Sequence, residues 1–176
     1  HLCHYCYVLN KAETDWSREI HIYPDIKAQL EQELETLPPQ AFYMGWNTDP
    51  YQPCEAEHKQ TRIVLEILKE HGSTVSLLTK SSLVLRDLDL LTTMGGSGIS
   101  MSIAFDKDDT RTLFEGNTMP TGDRMEALRE CKNAGVRVSA MVCPVIPHVN
   151  DPLPIIKEAH TFADKVWVYG LSILND

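Results

Sequence analysis

Five short apolar runs, separated by segments of helical periodicity, constrain this chain more than any other feature. They lie at residues 41–46, 74–78, 98–105, 137–145 and 166–173, at intervals of roughly 25 to 40 residues. Each is apolar nearly throughout, as a strand covered on both faces must be. Between them, residues 25–37 place Ile26, Leu30, Leu34 and Leu37 at helical spacing before Pro38-Pro39 stops the run. Residues 56–71 carry Ile63, Val64, Ile67 and Leu68 on one helical face, with Gly72 as the stop. Helices are also expected over 83–92, 120–135 and 153–163. Repeated strand–helix units of this kind build a parallel sheet, either open and doubly wound or closed towards a barrel.

One domain over residues 1–176 is the simplest organisation, since no repeat, low-complexity segment or linker interrupts the alternation. No apolar run approaches the ~20 residues of a membrane span. The formal net charge is −9, with Lys and Arg scattered. That balance disfavours nucleic acid as a partner, although a local basic patch stays open. Five cysteines, an odd number without a secretory signal, indicate reduced thiols or metal ligands in a cytoplasmic protein.

Both parallel architectures put their reactive site beyond the C-terminal ends of the strands. Unusual residues stand there. The first run leads into Asn47-Thr48-Asp49-Pro50-Tyr51, the second into Thr79-Lys80-Ser81-Ser82, and the fourth into Pro147, His148, Asn150 and Asp151. The third contains Ser100 and Ser102, which share one strand face, and is followed by Asp106. Taken singly, Asn47-Thr48-Asp49 is as readily a helix cap, Lys80 a snorkelling surface lysine, and His148 a loop residue. Four polar strand ends on one rim weigh more than any one of them.

The sharpest local signal is Cys3-His4-Tyr5-Cys6-Tyr7, in which two thiols share one turn. Spacing alone leaves three readings: a zinc knuckle, a thioredoxin-like redox pair, or part of an iron–sulfur ligand set.

Several motifs in register carry a resemblance. Cys3-His4-Tyr5-Cys6-Tyr7, Asn47-Thr48-Asp49-Pro50-Tyr51-Gln52-Pro53 and Leu78-Thr79-Lys80-Ser81-Ser82 come first in order. Ser100-Met101-Ser102-Ile103, Phe114-Glu115, Ala134-Gly135 and Val142-Cys143-Pro144-Val145-Ile146-Pro147 come after them. Over almost its whole length the chain resembles the radical S-adenosylmethionine (SAM) enzymes, in the branch related to spore photoproduct lyase. The resemblance implies a partial TIM-type (βα)6 barrel, of which this chain would hold strands two to six. It also implies a Cys-x-x-x-Cys-x-x-Cys signature. Cys3 and Cys6 match its second and third cysteines, and the first would lie two residues before His1.

The chemistry is likewise implied by the resemblance. Cys3 and Cys6 would ligate a [4Fe–4S] cluster whose open iron chelates the methionine end of SAM. An electron, from a donor such as flavodoxin or ferredoxin, would then cleave the sulfonium to a 5′-deoxyadenosyl radical that takes hydrogen from a substrate. Lys80 and Ser102 would meet the cofactor's carboxylate, the loop from Gly45 through Asn47 and Thr48 to Asp49 its ammonium, and Tyr5 the adenine. One departure stands out. The lyase itself has a cysteine near the end of its second strand that returns hydrogen to the substrate radical, and Gly45-Trp46-Asn47-Thr48 contains none. Two other functions remain in view: a barrel aldolase with Lys80 as Schiff-base amine, and a non-catalytic metal-binding domain around Cys3 and Cys6.

Overall fold

The structure is a computed structural model that describes residues 1–11, 14–15 and 18–172. Five strands form one sheet: β1 (Ala41–Met44), β2 (Thr74–Thr79), β3 (Gly98–Ser102), β4 (Arg137–Val145) and β5 (Lys165–Gly170). All neighbouring pairs are parallel. Their spatial order, β1-β2-β3-β4-β5, is the order of the chain. A doubly wound sheet reverses its strand order at a switch point, and this one never reverses. Its winding is that of a partial barrel, as the resemblance implied.

Alternation assigns the two faces. Val75 and Leu77 of β2, Ile99 and Met101 of β3, and Val138, Ala140 and Val142 of β4 are buried in one apolar core. Against them pack Leu65 and Leu68 of α3 (Gln60–Glu70), Leu128 and Cys131 of α6 (Thr121–Asn133), and Ile155 of α7 (Leu153–Ala159). Each fully buried Val, Leu, Ile or Met among them contributes roughly 1.5–3 kcal/mol relative to exposure. The intervening residues face the concave side. There Ser100 pairs in register with Ser139, and Ser102 with Met141.

Several elements differ from the sequence reading, for identifiable reasons. The single helix expected over 56–71 is two, α2 (Glu55–His58) and α3, parted at Lys59 with a left-handed φ of 53°. The break lets the Glu55 carboxylate accept the Thr61 and Arg62 N–H groups at 3.0 and 3.3 Å, satisfying donors at the start of α3. The helix expected over 83–92 is a 3-10 turn (Ser82–Asp87) running into the short α4 (Leu88–Leu91). The third strand stops at Ser102, although Ile103 still donates to the Met141 carbonyl. The last strand ends at Gly170, and its expected terminus, Ile173, lies outside the described residues. Helix α1 (Ile26–Leu34) is capped by Asp25, whose carboxylate accepts the Ala28 N–H at 3.2 Å. Helix α5 (Asp108–Phe114) had no counterpart in the sequence reading, and it positions the cysteine loop.

Candidate active site

The cysteine loop is strapped across the C-terminal end of α5. The His4 N–H donates to the Phe114 carbonyl at 2.9 Å, Cys3 forms an antiparallel bridge with Glu115, and the Asn117 N–H reaches the His1 carbonyl at 3.3 Å. Within the loop the Cys6 N–H donates to the Cys3 carbonyl at 3.1 Å, closing the turn that carries both thiols. Cys3 is buried and Cys6 half-buried. Burial pushes the Cys3 thiol up, with the Lys80 ammonium acting against it.

Tyr5, between the two cysteines, donates its hydroxyl to the Glu115 carboxylate. Burial and the Glu115 charge together hold that hydroxyl well above the usual tyrosine range. Its ring stands 6.2 Å from the ring of Phe105, which stacks on Phe114 at 5.3 Å. Next along the loop, the Tyr7 hydroxyl lies 3.0 Å from both the Trp46 carbonyl and Asn47 Oδ1. The cysteine loop therefore meets the loop that succeeds β1.

That second loop turns on Gly45, whose φ is 103° and whose hypothetical Cβ would fall 2.2 Å from the Leu78 carbonyl oxygen. Only glycine fits so close to β2. Asp49, further along, is already engaged. Its Oδ1 accepts the Tyr51 N–H at 2.9 Å and the Thr79 hydroxyl at 2.7 Å, and its Oδ2 accepts the Lys80 N–H at 2.7 Å. The His1 ring stands 3.4 Å from the same Oδ2. Asp49 caps no helix. It clamps the ends of β1 and β2 together and fixes where Lys80 leaves the sheet. Thr48 accepts from Gln52 at 2.5 Å.

From this clamp Lys80 extends over the Tyr5 ring, its Nζ 5.9 Å from the centroid. The ammonium acts on the thiols of both Cys3 and Cys143, the latter half-buried near the end of β4. A cleft of about 200 Å³ beside it is lined by His1, Lys80, Ser81, Ser82, Asn117 and Met119, among others.

Ser102, at 3% exposure, ends β3. Its carbonyl accepts from Arg124 Nη1 at 2.9 Å. Arg124 Nη2 in turn bonds Glu115 Oε2 at 2.6 Å and the Thr118 hydroxyl at 2.8 Å, and the whole group is buried. Thus Tyr5, Asn47, Asp49 and Lys80 stand on one rim around the cysteine loop, and Ser102 joins them through Arg124 and Glu115. Thr48 lies on the same loop and engages Gln52. Sequence reasoning missed Arg124 and gave Glu115 no role. A charged residue directly after Phe114, at the end of an apolar contact, was the one available hint.

Two cysteine sulfurs on one turn beside a lysine fit part of a soft, sulfur-based ligand set. Among the described residues, no third cysteine, histidine or carboxylate completes a three-ligand group with them.

Residues 1–154 match the model of the radical SAM superfamily. An uncharacterized protein of Mycobacterium tuberculosis is 26% identical over 163 residues, covering 86% of this chain and 48% of the relative. Another, from Methanocaldococcus jannaschii, is 30% identical over 134 residues, covering 76% of this chain and 50% of the relative. The chain thus spans about half the length of the curated relatives it matches. Among solved structures, a variant of spore photoproduct lyase with bound AdoMet and dinucleoside spore photoproduct superposes with a TM-score of 0.69. The match is 17% identical and covers 99% of this chain and 54% of that one. A second variant of the same lyase with the dinucleoside gives 0.67 at 18% identity, over 94% of this chain and 51% of that one.

Proposed function

The chain belongs to the radical SAM superfamily, which works with a [4Fe–4S] cluster and SAM, and from that premise we propose a division of labour among its residues. Cys3 and Cys6 supply two of the three cluster thiolates. The remaining thiolate of the family's three is not among the described residues that stand beside them. When bound, the two groups supply reductive cleavage of SAM and a 5′-deoxyadenosyl radical for hydrogen abstraction.

The protein's own residues bind and orient. Lys80 holds the cofactor's carboxylate by charge, with Ser102 at the end of β3 as a second partner. The carbonyls and side chains from Gly45 to Asn47, with Thr48, receive its ammonium, while Asp49 keeps Lys80 in place. Tyr5 and Phe105 shield the cluster side from water and offer an aromatic surface to the adenine. The observation that carries this reading is the convergence of the two-cysteine turn and Lys80, the ammonium lying over Tyr5 and acting on the Cys3 thiol.

The reading favours a substrate other than the dinucleoside spore photoproduct bound by the lyase neighbours. The stretch Gly45-Trp46-Asn47-Thr48 has no cysteine, and the net charge of −9 suits a nucleic acid poorly. The electron comes from a small reductant such as flavodoxin or ferredoxin. All five cysteines are free, and among the described residues no helix is long and apolar enough to cross a membrane.

The test is iron counting. Cys3→Ala and Cys6→Ala, made in the full-length protein and reconstituted anaerobically with iron and sulfide, should each lose most of the iron that the parent holds. Full loading in both variants would overturn the ligand assignment.

A further inference from the structure

Behind the Asp49 clamp lies a buried cluster of ion pairs. Asp87, at 0% exposure, accepts Arg86 Nε and Arg62 Nη1 on one oxygen, each at 2.9 Å, and Arg86 Nη2 on the other at 2.7 Å. Arg86 also donates to the Glu55 carboxylate at 2.7 Å and to the Glu55 carbonyl at 3.0 Å. Three guanidinium N–H groups already satisfy the Asp87 carboxylate. A fourth donor reaches it nonetheless, the hydroxyl of Tyr51, at 3.1 Å. Tyr51 is itself at 0% exposure, and a phenylalanine, of nearly the same volume, would fill the same space. Packing and charge pairing leave that hydroxyl unexplained. Its position supplies a role.

Tyr51 stands two residues beyond Asp49, and its N–H donates to Asp49 Oδ1 at 2.9 Å. Asp87 ends the 3-10 turn that follows Lys80. Residues 49–51 and 79–87 are therefore tied together twice. Asp49 accepts the Thr79 hydroxyl and the Lys80 N–H, each at 2.7 Å, and Tyr51 donates back to Asp87. One tie fixes a point and leaves a pivot, whereas two fix a direction. We propose that Tyr51, anchored on Asp87, is a positioning residue of the cofactor rim: it orients the Asp49 clamp and so aims the Lys80 ammonium at the cofactor's carboxylate. The inference rests on the proposal that Lys80 holds that carboxylate. Tyr51 acts through Asp49 and Lys80, from a place where solvent does not reach it.

Tyr51→Phe, Lys80→Ala and the double variant are made in the full-length, anaerobically reconstituted protein. Calorimetry with SAM, well below the unfolding temperature, is the main readout, beside iron content and thermal unfolding. Tyr51→Phe should weaken SAM binding about 3- to 30-fold, the range over which a residue that does not touch a ligand modulates its binding. In the Lys80→Ala background the same change should weaken it by no more than about twofold, because the group that Tyr51 aims is gone. Iron content should stay that of the parent in all three. A tyrosine that only packs would lower the unfolding temperature and leave SAM affinity unchanged, which overturns the inference while the role of Lys80 stands. An equal loss in both backgrounds overturns it too, since Tyr51 would then act without Lys80. Should Tyr51→Phe fail to fold, amide hydrogen exchange in the parent decides. Added SAM should slow the Tyr51 and Lys80 amides together, since Asp49 holds both, and slowing at Lys80 alone overturns the inference. Unchanged SAM affinity in Lys80→Ala overturns the proposal beneath it as well.

Discussion

Replacing Lys80 with alanine removes the one cation that lies over the cysteine turn among the described residues, and the structure shows what the replacement leaves untouched. The Lys80 backbone N–H is held by Asp49 Oδ2 at 2.7 Å, and that bond does not involve the side chain. The ends of β1 and β2 should therefore stay clamped, and the loss should be that of the ammonium alone. Removing one member of a close charge pair costs about 2–5 kcal/mol when its partner stays buried. Lys80 is only half-buried, so solvent takes up part of that cost, leaving about 1.4 to 4 kcal/mol. The affinity for SAM should fall about 10- to 1,000-fold, at about 1.4 kcal/mol per tenfold. Calorimetry on the reconstituted variant measures it, with iron content as the control, which should not change. Lys80→Arg should recover part of the loss because it keeps the charge. Unchanged SAM affinity in Lys80→Ala would remove the side chain from the site. Trapping of a carbonyl substrate on Lys80 by borohydride would point instead to Schiff-base chemistry.

Two further predictions concern the scaffold of the rim. Asp49→Ala deletes three hydrogen bonds to a carboxylate and leaves the proton of the Thr79 hydroxyl, on a residue with 1% exposure, without its acceptor, while the oxygen still accepts the Ser81 N–H. The cost should be about 2 to 4 kcal/mol, read as a fall in Tm of roughly 4 to 16 °C, and an unchanged Tm would show the clamp to be dispensable. Gly45→Ala sets a methyl 2.2 Å from the Leu78 carbonyl oxygen at a φ of 103°. Chemical denaturation should show a loss of about 3 kcal/mol or more, whereas Gly135→Ala, at a φ of 92° with no atom within 4 Å of the new Cβ, should cost less.

The strands were legible in the sequence because each is a continuous apolar run between turn residues, and in a parallel sheet that signal is nearly unambiguous. Helix α5 was not, because Asp108-Asp109-Thr110-Arg111-Thr112-Leu113-Phe114 has no apolar stripe. It is held by an i, i+3 pair of Arg111 with Asp108 at 2.6 Å within the helix and by Arg111 reaching the Thr118 carbonyl beyond it at 2.7 Å. Lys59 gave no warning of its left-handed turn, since the reason lies in Glu55 reaching forward to the next helix. The rim was legible through the rule that parallel strands present their chemistry at their C-terminal ends. That rule found Asp49 and Lys80 without saying that one holds the other. Glu115 and Arg124 lie in polar surroundings that read as surface, and nothing local announces that two charges nine residues apart are both buried.

The strand order has a consequence for how the molecule is made. Every strand after the first pairs with the one synthesised just before it, so a ribosome delivers each new strand to an edge that already exists. No strand of this sheet waits for a distant partner, and loop closure is confined to the length of one strand–helix unit at each step. A translational pause after any unit would leave a shorter sheet of the same kind, with one edge ready for the next arrival.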